Sequence, residues 1–170
     1  MPSRDMPTSG DRPRKTKEDL GPVLRLMKQL WALDHGLHSA SKRMEATHGI
    51  TVSQRLVIGF VGRSPGISAG TLARSLHVHP STLTDILRRL ESRGVLHRRT
   101  DPKDSRRALF GLTPRGRQVD ALQTGNVEQA IRRVLERMPE DVLPAERVLA
   151  ALTSELEIDP SAGPDTEPEG

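Results

Sequence analysis

His79-Pro80-Ser81-Thr82-Leu83-Thr84-Asp85-Ile86-Leu87-Arg88-Arg89-Leu90-Glu91-Ser92-Arg93-Gly94 is the stretch on which the fold turns. Pro80 suits a first helical position, where its missing N–H is no loss, and Gly94 suits the position just past a helix end. Between them Leu83, Ile86, Leu87 and Leu90 recur at helical spacing and form one narrow apolar stripe. A rotation of about 100° per residue puts Ser81, Asp85, Arg88 and Ser92 opposite that stripe, with Thr82, Thr84 and Arg89 flanking them. Short hydrogen-bonding groups and long cations on a helix with a buried back can meet base edges in a DNA major groove. Taken alone, the same pattern describes an ordinary amphipathic helix with a solvated face.

The residues after Gly94 decide between these readings. Val95-Leu96-His97-Arg98-Arg99 and Arg106-Arg107-Ala108-Leu109-Phe110-Gly111-Leu112 are two β-compatible runs. Thr100 to Ser105, with Asp-Pro and Lys-Asp-Ser, is the turn of a hairpin between them. Arg98, Arg99, Lys103, Arg106 and Arg107 load that hairpin with cations. A recognition helix joined to a basic hairpin is a winged helix-turn-helix, whose wing reaches phosphates or the neighbouring minor groove.

Several motifs then carry a resemblance. Gly49-Ile50-Thr51 with Gln54, Thr71-Leu72-Ala73 with Leu76, and Leu90-Glu91 with Arg93-Gly94-Val95-Leu96 mark the helices around the turn. Asp104-x-Arg106, with Leu112-Thr113-x-x-Gly116 after it, is the most diagnostic piece. From about Gly49 to Gly116 the chain resembles the MarR family of bacterial transcription regulators. It departs from that pattern at Asp85, where many members carry a basic residue. The resemblance implies a ligand-responsive repressor that binds a pseudo-palindromic operator as a homodimer. It implies interlocked N- and C-terminal helices, and a small aromatic or anionic effector bound between these and the DNA-binding lobe.

The charge distribution agrees with a nucleic-acid surface. Residues 52–117 hold thirteen Lys/Arg against four acids, whereas residues 118–170 hold four Arg against twelve acids. The net charge of +4 hides this partition. Only 2% of residues are aromatic, so the core must be aliphatic. The chain has no cysteine, which excludes disulfides, thiolate metal sites and thiol redox sensing. No apolar run approaches the roughly 18 residues that span a membrane, and no signal peptide is legible, so a cytoplasmic protein is expected.

In chain order, residues 1–17 read as a disordered basic tail and 159–170 as a disordered acidic one. The regulator is expected over 18–158, with a DNA-binding lobe at 52–112 and dimerisation helices at 18–48 and 113–158. The fold class is mainly α with a small β wing. A long first helix runs from Glu18 to His48, with Gly36 inside it and Gly49 after it. Thr51-x-x-Gln54 is a capping box opening a second helix, with Leu56, Val57, Phe60 and Val61 expected inward. Ser68 caps Ala69–Leu76, and His77-Val78-His79 is the turn before the recognition helix. Thr113 caps a helix carrying Val119, Leu122, Val127, Ile131, Val134, Leu135 and Met138, with a bend allowed at Gly125. Pro139 starts another helix, with Val142, Leu143, Val148, Leu149, Leu152 and Leu156 at helical spacing. The first and last helices carry more apolar surface than a monomer can cover, which points to a second copy.

The residues expected to meet DNA are Ser81, Thr82, Thr84, Asp85 and Arg88 on the helix, and Lys103, Arg106 and Arg107 on the wing. Asp104 is expected to steady the wing, orienting Arg106. Trp31, His35 and His38 are the candidates for an effector site, since indole stacks on rings and imidazole donates to carboxylates. No catalytic constellation is legible: Ser81 lies in no nucleophile-elbow context, and glycine-rich phosphate loops are absent. No cofactor or metal is expected, because no cysteine is available to the histidine pairs His35/His38 and His77/His79 and the acids near them show no legible ligand spacing. A metal-responsive regulator and a non-specific architectural DNA-binding protein are the alternatives.

Overall fold

The computed structural model describes residues 20–121 and 126–157. The two expected tails, Leu122 and Gly125 lie outside the described residues. The chain divides at Ser39 and Ala40 into two units. Helix α1, Pro22–His48, runs through that division without a break at Gly36. In the first unit this helix is exposed almost throughout, and Val23, Leu24, Met27 and Trp31 face solvent.

The second unit begins where Ala40 and Met44 of α1 become buried. Gly49 then ends the helix in the left-handed conformation expected of that position, at φ +67°. Thr51 closes the capping box on α2, Val52–Arg63: its Oγ1 accepts from the Gln54 N–H at 3.2 Å, and Gln54 Oε1 accepts from the Thr51 N–H at 3.3 Å. Val57, Ile58 and Val61 are fully buried on this helix. Leu56, expected inward, is 52% exposed, and Phe60 is only half-buried. The reason is rotational. Gln54, Val57, Ile58 and Val61 define the buried face, and Leu56 lies about 150° from its centre.

Strand β1, Ile67–Ser68, was not legible in the sequence, because two residues carry no periodicity. It pairs antiparallel with β3, Asp104–Leu112, placing Ile67 against Phe110, and β3 pairs with β2, Leu96–Asp101. The sheet order is β1-β3-β2. Both hairpin strands run further towards the tip than the runs Val95–Arg99 and Arg106–Leu112 suggested, leaving only Pro102 and Lys103 between them. Side-chain turns make that short loop workable. Asp101 Oδ1 accepts from the Lys103 N–H at 2.9 Å, and Asp104 Oδ1 accepts from the Arg106 N–H at 3.0 Å.

Ser68 caps α3, Ala69–Leu76, accepting from the Thr71 N–H at 3.2 Å. His77 closes α3 with a φ of 49°, so the turn into the next helix rests on a left-handed non-glycine residue. Helix α4, Pro80–Ser92, starts on Pro80 and buries Leu83, Leu87 and Leu90. These leucines join Val57, Ile58, Val61, Leu72 and Phe110 in one core, aliphatic apart from the single phenylalanine. Each fully buried leucine contributes about 1.5–3 kcal/mol. That burial fixes which face of α4 is left outward.

Thr113 caps α5, Pro114–Ala121: its Oγ1 accepts from the Gly116 N–H at 3.0 Å and donates to Gly94 O at 2.6 Å. The sequence suggested one helix through Met138; the described residues give α5 up to Ala121 and α6, Asn126–Arg137, and residues 122–125, which decide whether the two are continuous, lie outside the described residues. A 3-10 turn, Pro139–Asp141, leads into α7, Val142–Glu157. Ile131, Val134, Leu135 and Met138 at and after α6 are exposed, as are Leu143, Val148, Leu149 and Leu156 of α7. Among the described residues no helix is long and apolar enough to cross a membrane.

One tie across this unit was invisible in the sequence. Arg55 of α2 donates through Nη1 to Asp120 Oδ1 at 2.7 Å and through Nη2 to the Asp120 carbonyl at 3.0 Å. Its Nη2 also lies 3.1 Å from Glu128 Oε1 of α6. The Arg55 side chain is only 12% exposed. A charge so buried is tolerable only with such partners, and this guanidinium fastens α5 and α6 to α2.

Candidate nucleic-acid interface

The outward face of α4 carries five expected contact residues: Ser81, Thr82, Thr84, Asp85 and Arg88 are all exposed. Leu83, Leu87 and Leu90 hold the helix from behind, so these side chains stand on a rigid base. Arg88 Nη2 donates to Asp85 Oδ1 at 2.5 Å, one turn away on the same face. Thr84 Oγ1 donates to Pro80 O at 2.8 Å. Arg93 donates to the carbonyl of Gly49, which removes it from the free cations of the helix end.

His79 is the residue that sequence reading missed here. It is the N-cap of α4, and its Nδ1 accepts from the Ser81 N–H at 3.3 Å. The Ser81 hydroxyl lies 2.8 Å from the same nitrogen. Histidine is outside the usual N-cap set of Ser, Thr, Asp and Asn, so position alone did not signal the role.

On the wing, Lys103 sits in the tip loop, and Arg106 and Arg107 come next on β3, all exposed. Asp104 holds the backbone N–H of Arg106 rather than its guanidinium. The Arg107 guanidinium reaches back, with Nη2 donating to Ser68 Oγ at 3.1 Å and Nε 4.0 Å from Asp101 Oδ2. Arg74 of α3 joins Arg106 and Arg107 around an open groove of about 500 Å³ at the start of α3. Three guanidinium groups around one groove suit a phosphate. Arg74 was missed because nothing in the sequence ties α3 to the wing; the pairing of β1 with β3 does that.

The effector candidates lie on the part of α1 in the first unit. Trp31 is 79% exposed, and His35 and His38 are exposed. His38 Nδ1 lies 3.0 Å from Asp34 O and 3.2 Å from Asp34 Oδ1. Among the described residues no three His, Cys, Asp or Glu side chains gather as a metal site would require.

Residues 48–107, from the end of α1 to the wing, match the sequence profile of the MarR family. Over this lobe the chain is similar to the MarR family. An HTH-type transcriptional repressor of Mycobacterium bovis is 32% identical over 90 residues, which are 53% of this chain and 65% of that protein. The crystal structure of MarR is 26% identical with a TM-score of 0.56, covering 79% of this chain and 96% of MarR. Streptococcus pneumoniae FabT, solved in complex with DNA, has the same fold at 21% identity, with a TM-score of 0.61 over 79% of this chain and 97% of FabT. The chain spans between half and two thirds of the length of the first of these curated relatives. The chain is thus similar to these proteins in sequence mainly over its winged-helix lobe, and in fold over most of its length.

Proposed function

We propose that this protein is a sequence-specific DNA-binding transcription regulator, a ligand-responsive repressor acting as a homodimer on a pseudo-palindromic operator. The observation that carries the reading is the polar face of α4, held outward by fully buried leucines, beside a wing bearing Lys103, Arg106 and Arg107. Helix α4 enters the major groove and the wing lies along the backbone, a reading supported by the shared fold of FabT, which was solved on DNA. Repression is supported by the Mycobacterium bovis relative, itself a repressor. The exposed apolar faces of α6 and α7 support the dimer, whose two recognition helices would read half-sites about one turn apart. Catalysis has no part in this reading.

Salt dependence tests the reading directly. Arg106→Ala should weaken binding to operator and random duplex alike, about three- to tenfold, and lower the salt slope by about one phosphate equivalent. An unchanged slope with a lower melting temperature would assign Arg106 to holding the hairpin instead. Equal affinity of the wild type for native upstream and scrambled DNA would favour the architectural alternative.

Regulation is expected to pass through Trp31, His35 and His38. Trp31 and His35 stand one turn apart on α1, so a ring and a hydrogen-bonding imidazole share one face. Phenolic and aromatic carboxylates should quench the fluorescence of Trp31, the chain's only tryptophan. They should weaken operator binding about 5- to 150-fold, the span of ordinary allosteric coupling. Release of DNA without quenching, unchanged in the alanine variants of His35 and His38, would place the effector elsewhere.

A further inference from the structure

We propose that the first half of α4 reads DNA as a hydrogen-bond acceptor, so that Ser81, Thr84 and Asp85 contact the amino-bearing edge of the base pairs beneath them, adenine N6 or cytosine N4, and not the guanine or thymine edge. This deepens the DNA-binding proposal to the chemistry of the base edges, and rests on it.

Counting hydrogens fixes the polarity of the face. The Ser81 main-chain N–H can only donate, and it is directed at His79 Nδ1 at 3.3 Å. That nitrogen therefore carries no hydrogen, and the neutral ring holds its proton on Nε2. Ser81 Oγ lies 2.8 Å from the same Nδ1. With no hydrogen on the nitrogen, the hydroxyl must be the donor, and its one hydrogen is spent. Only lone pairs of Ser81 remain for a partner. Thr84 is in the same state, because its hydroxyl donates to the Pro80 carbonyl, which can only accept, at 2.8 Å. Asp85 is a carboxylate and accepts only; one oxygen takes the Arg88 guanidinium, and the other is left over.

These three residues stand at i, i+3 and i+4, on one face of the helix, and all are exposed. Together they make a stripe of acceptors with the Thr84 methyl beside it. In the major groove the donors are adenine N6 and cytosine N4, whereas guanine N7 and O6 and thymine O4 are acceptors. The guanine or thymine edge under this stripe would set lone pairs against lone pairs, which favours the base of each pair that carries the amino group. The cationic donors of the face, Arg88 and Arg89, come later along the helix, and the Thr82 hydroxyl beside the stripe can donate or accept. His79 is thus a positioning residue for specificity: it caps the helix and sets the polarity of Ser81.

The test deletes single groups from the DNA and leaves the full-length protein unchanged. A half-site is first selected from a random duplex library at fixed salt. Base analogues then replace single bases under α4: purine for adenine, lacking N6; 2-pyrimidinone for cytosine, lacking N4; and 7-deazaguanine for guanine, lacking N7. Loss of an amino group at two or three adjacent positions should weaken binding about tenfold each, whereas 7-deazaguanine there should change it less than about twofold. Thr84→Val keeps the methyl and removes the acceptor, so it should abolish the amino-group sensitivity at one position only. A half-site with guanines at those positions, sensitive to 7-deazaguanine and indifferent to amino-group deletion, overturns the inference while leaving DNA reading intact. Failure to bind any duplex overturns the DNA-binding proposal, and this inference with it.

Discussion

Gly116→Ala is expected to destabilise the lobe by about 3 kcal/mol, at the upper end of what overpacking usually costs. Gly116 lies in the first turn of α5 and is buried. A Cβ built there would collide with the Val95 carbonyl oxygen and stand 3.3 Å from Leu112 Cβ. Neither neighbour is the far end of a flexible side chain. The same carbonyl is held by the Thr113 N–H at 3.1 Å. Relief would therefore pull the start of the wing away from the start of α5. Gly36→Ala is the contrast, because a Cβ there meets nothing within 4 Å inside a helix. It should stabilise the chain by about 0.5–1 kcal/mol, the helical preference of alanine over glycine. Denaturant midpoints of the two variants check both signs. An unchanged midpoint for Gly116→Ala would mean that α5 does not pass this close to Val95.

Leu149→Glu combined with Leu152→Glu is expected to abolish binding to a two-half-site operator, by about a hundredfold or more. The segment from α6 through α7 exposes eight large apolar side chains, among them Ile131 at 52% and Leu156 at 85%. Burying what remains of each contributes about 1 kcal/mol. A two-fold interface uses every patch twice, so the total reaches about 16 kcal/mol. Association costs about 4–15 kcal/mol, a cost the proposed dimer would have to meet from this patch. Two carboxylates on α7 would have to be desolvated in such an interface, and the dimer should part. Each monomer would then hold one half-site without the gain from a linked second one. Light scattering and gel shifts on the double variant measure this, and Leu149→Glu alone guards against damage from the half-buried Leu152. A folded wild-type monomer at micromolar concentration would remove the basis for the dimer.

Several elements were legible because their causes are local. The capping box of Thr51 and Gln54, the Ser68 cap, Pro80 at the start of α4 and Gly94 after it all act within about one helical turn. The leucine stripe of α4 sets its outward face by rotation alone, so Ser81, Thr82, Thr84, Asp85 and Arg88 were found from spacing. The wing cations were legible as a charge cluster on and between two short strands. His79 was local too, but histidine at an N-cap breaks the usual preference, and only the distances reveal it.

The features that stayed hidden depend on partners far apart in the chain. Leu56 faces out because the core settles the rotation of α2, and a run of adjacent apolar residues does not say which one is spare. Arg55 meets Asp120 across 65 positions and Glu128 across 73, and no period links such residues. Strand β1 exists because β3 offers it an edge, and through that pairing Arg74 comes to share a groove with Arg106 and Arg107. Gly116 is required by the passage of Val95 beside it, which only the packed chain creates. Sequence determined what depends on nearest neighbours and helical phase: the helix caps, the buried stripe and the basic wing. Tertiary structure decided what depends on closure of distant segments, since the chain entropy of bringing them together is overcome only by the assembled core.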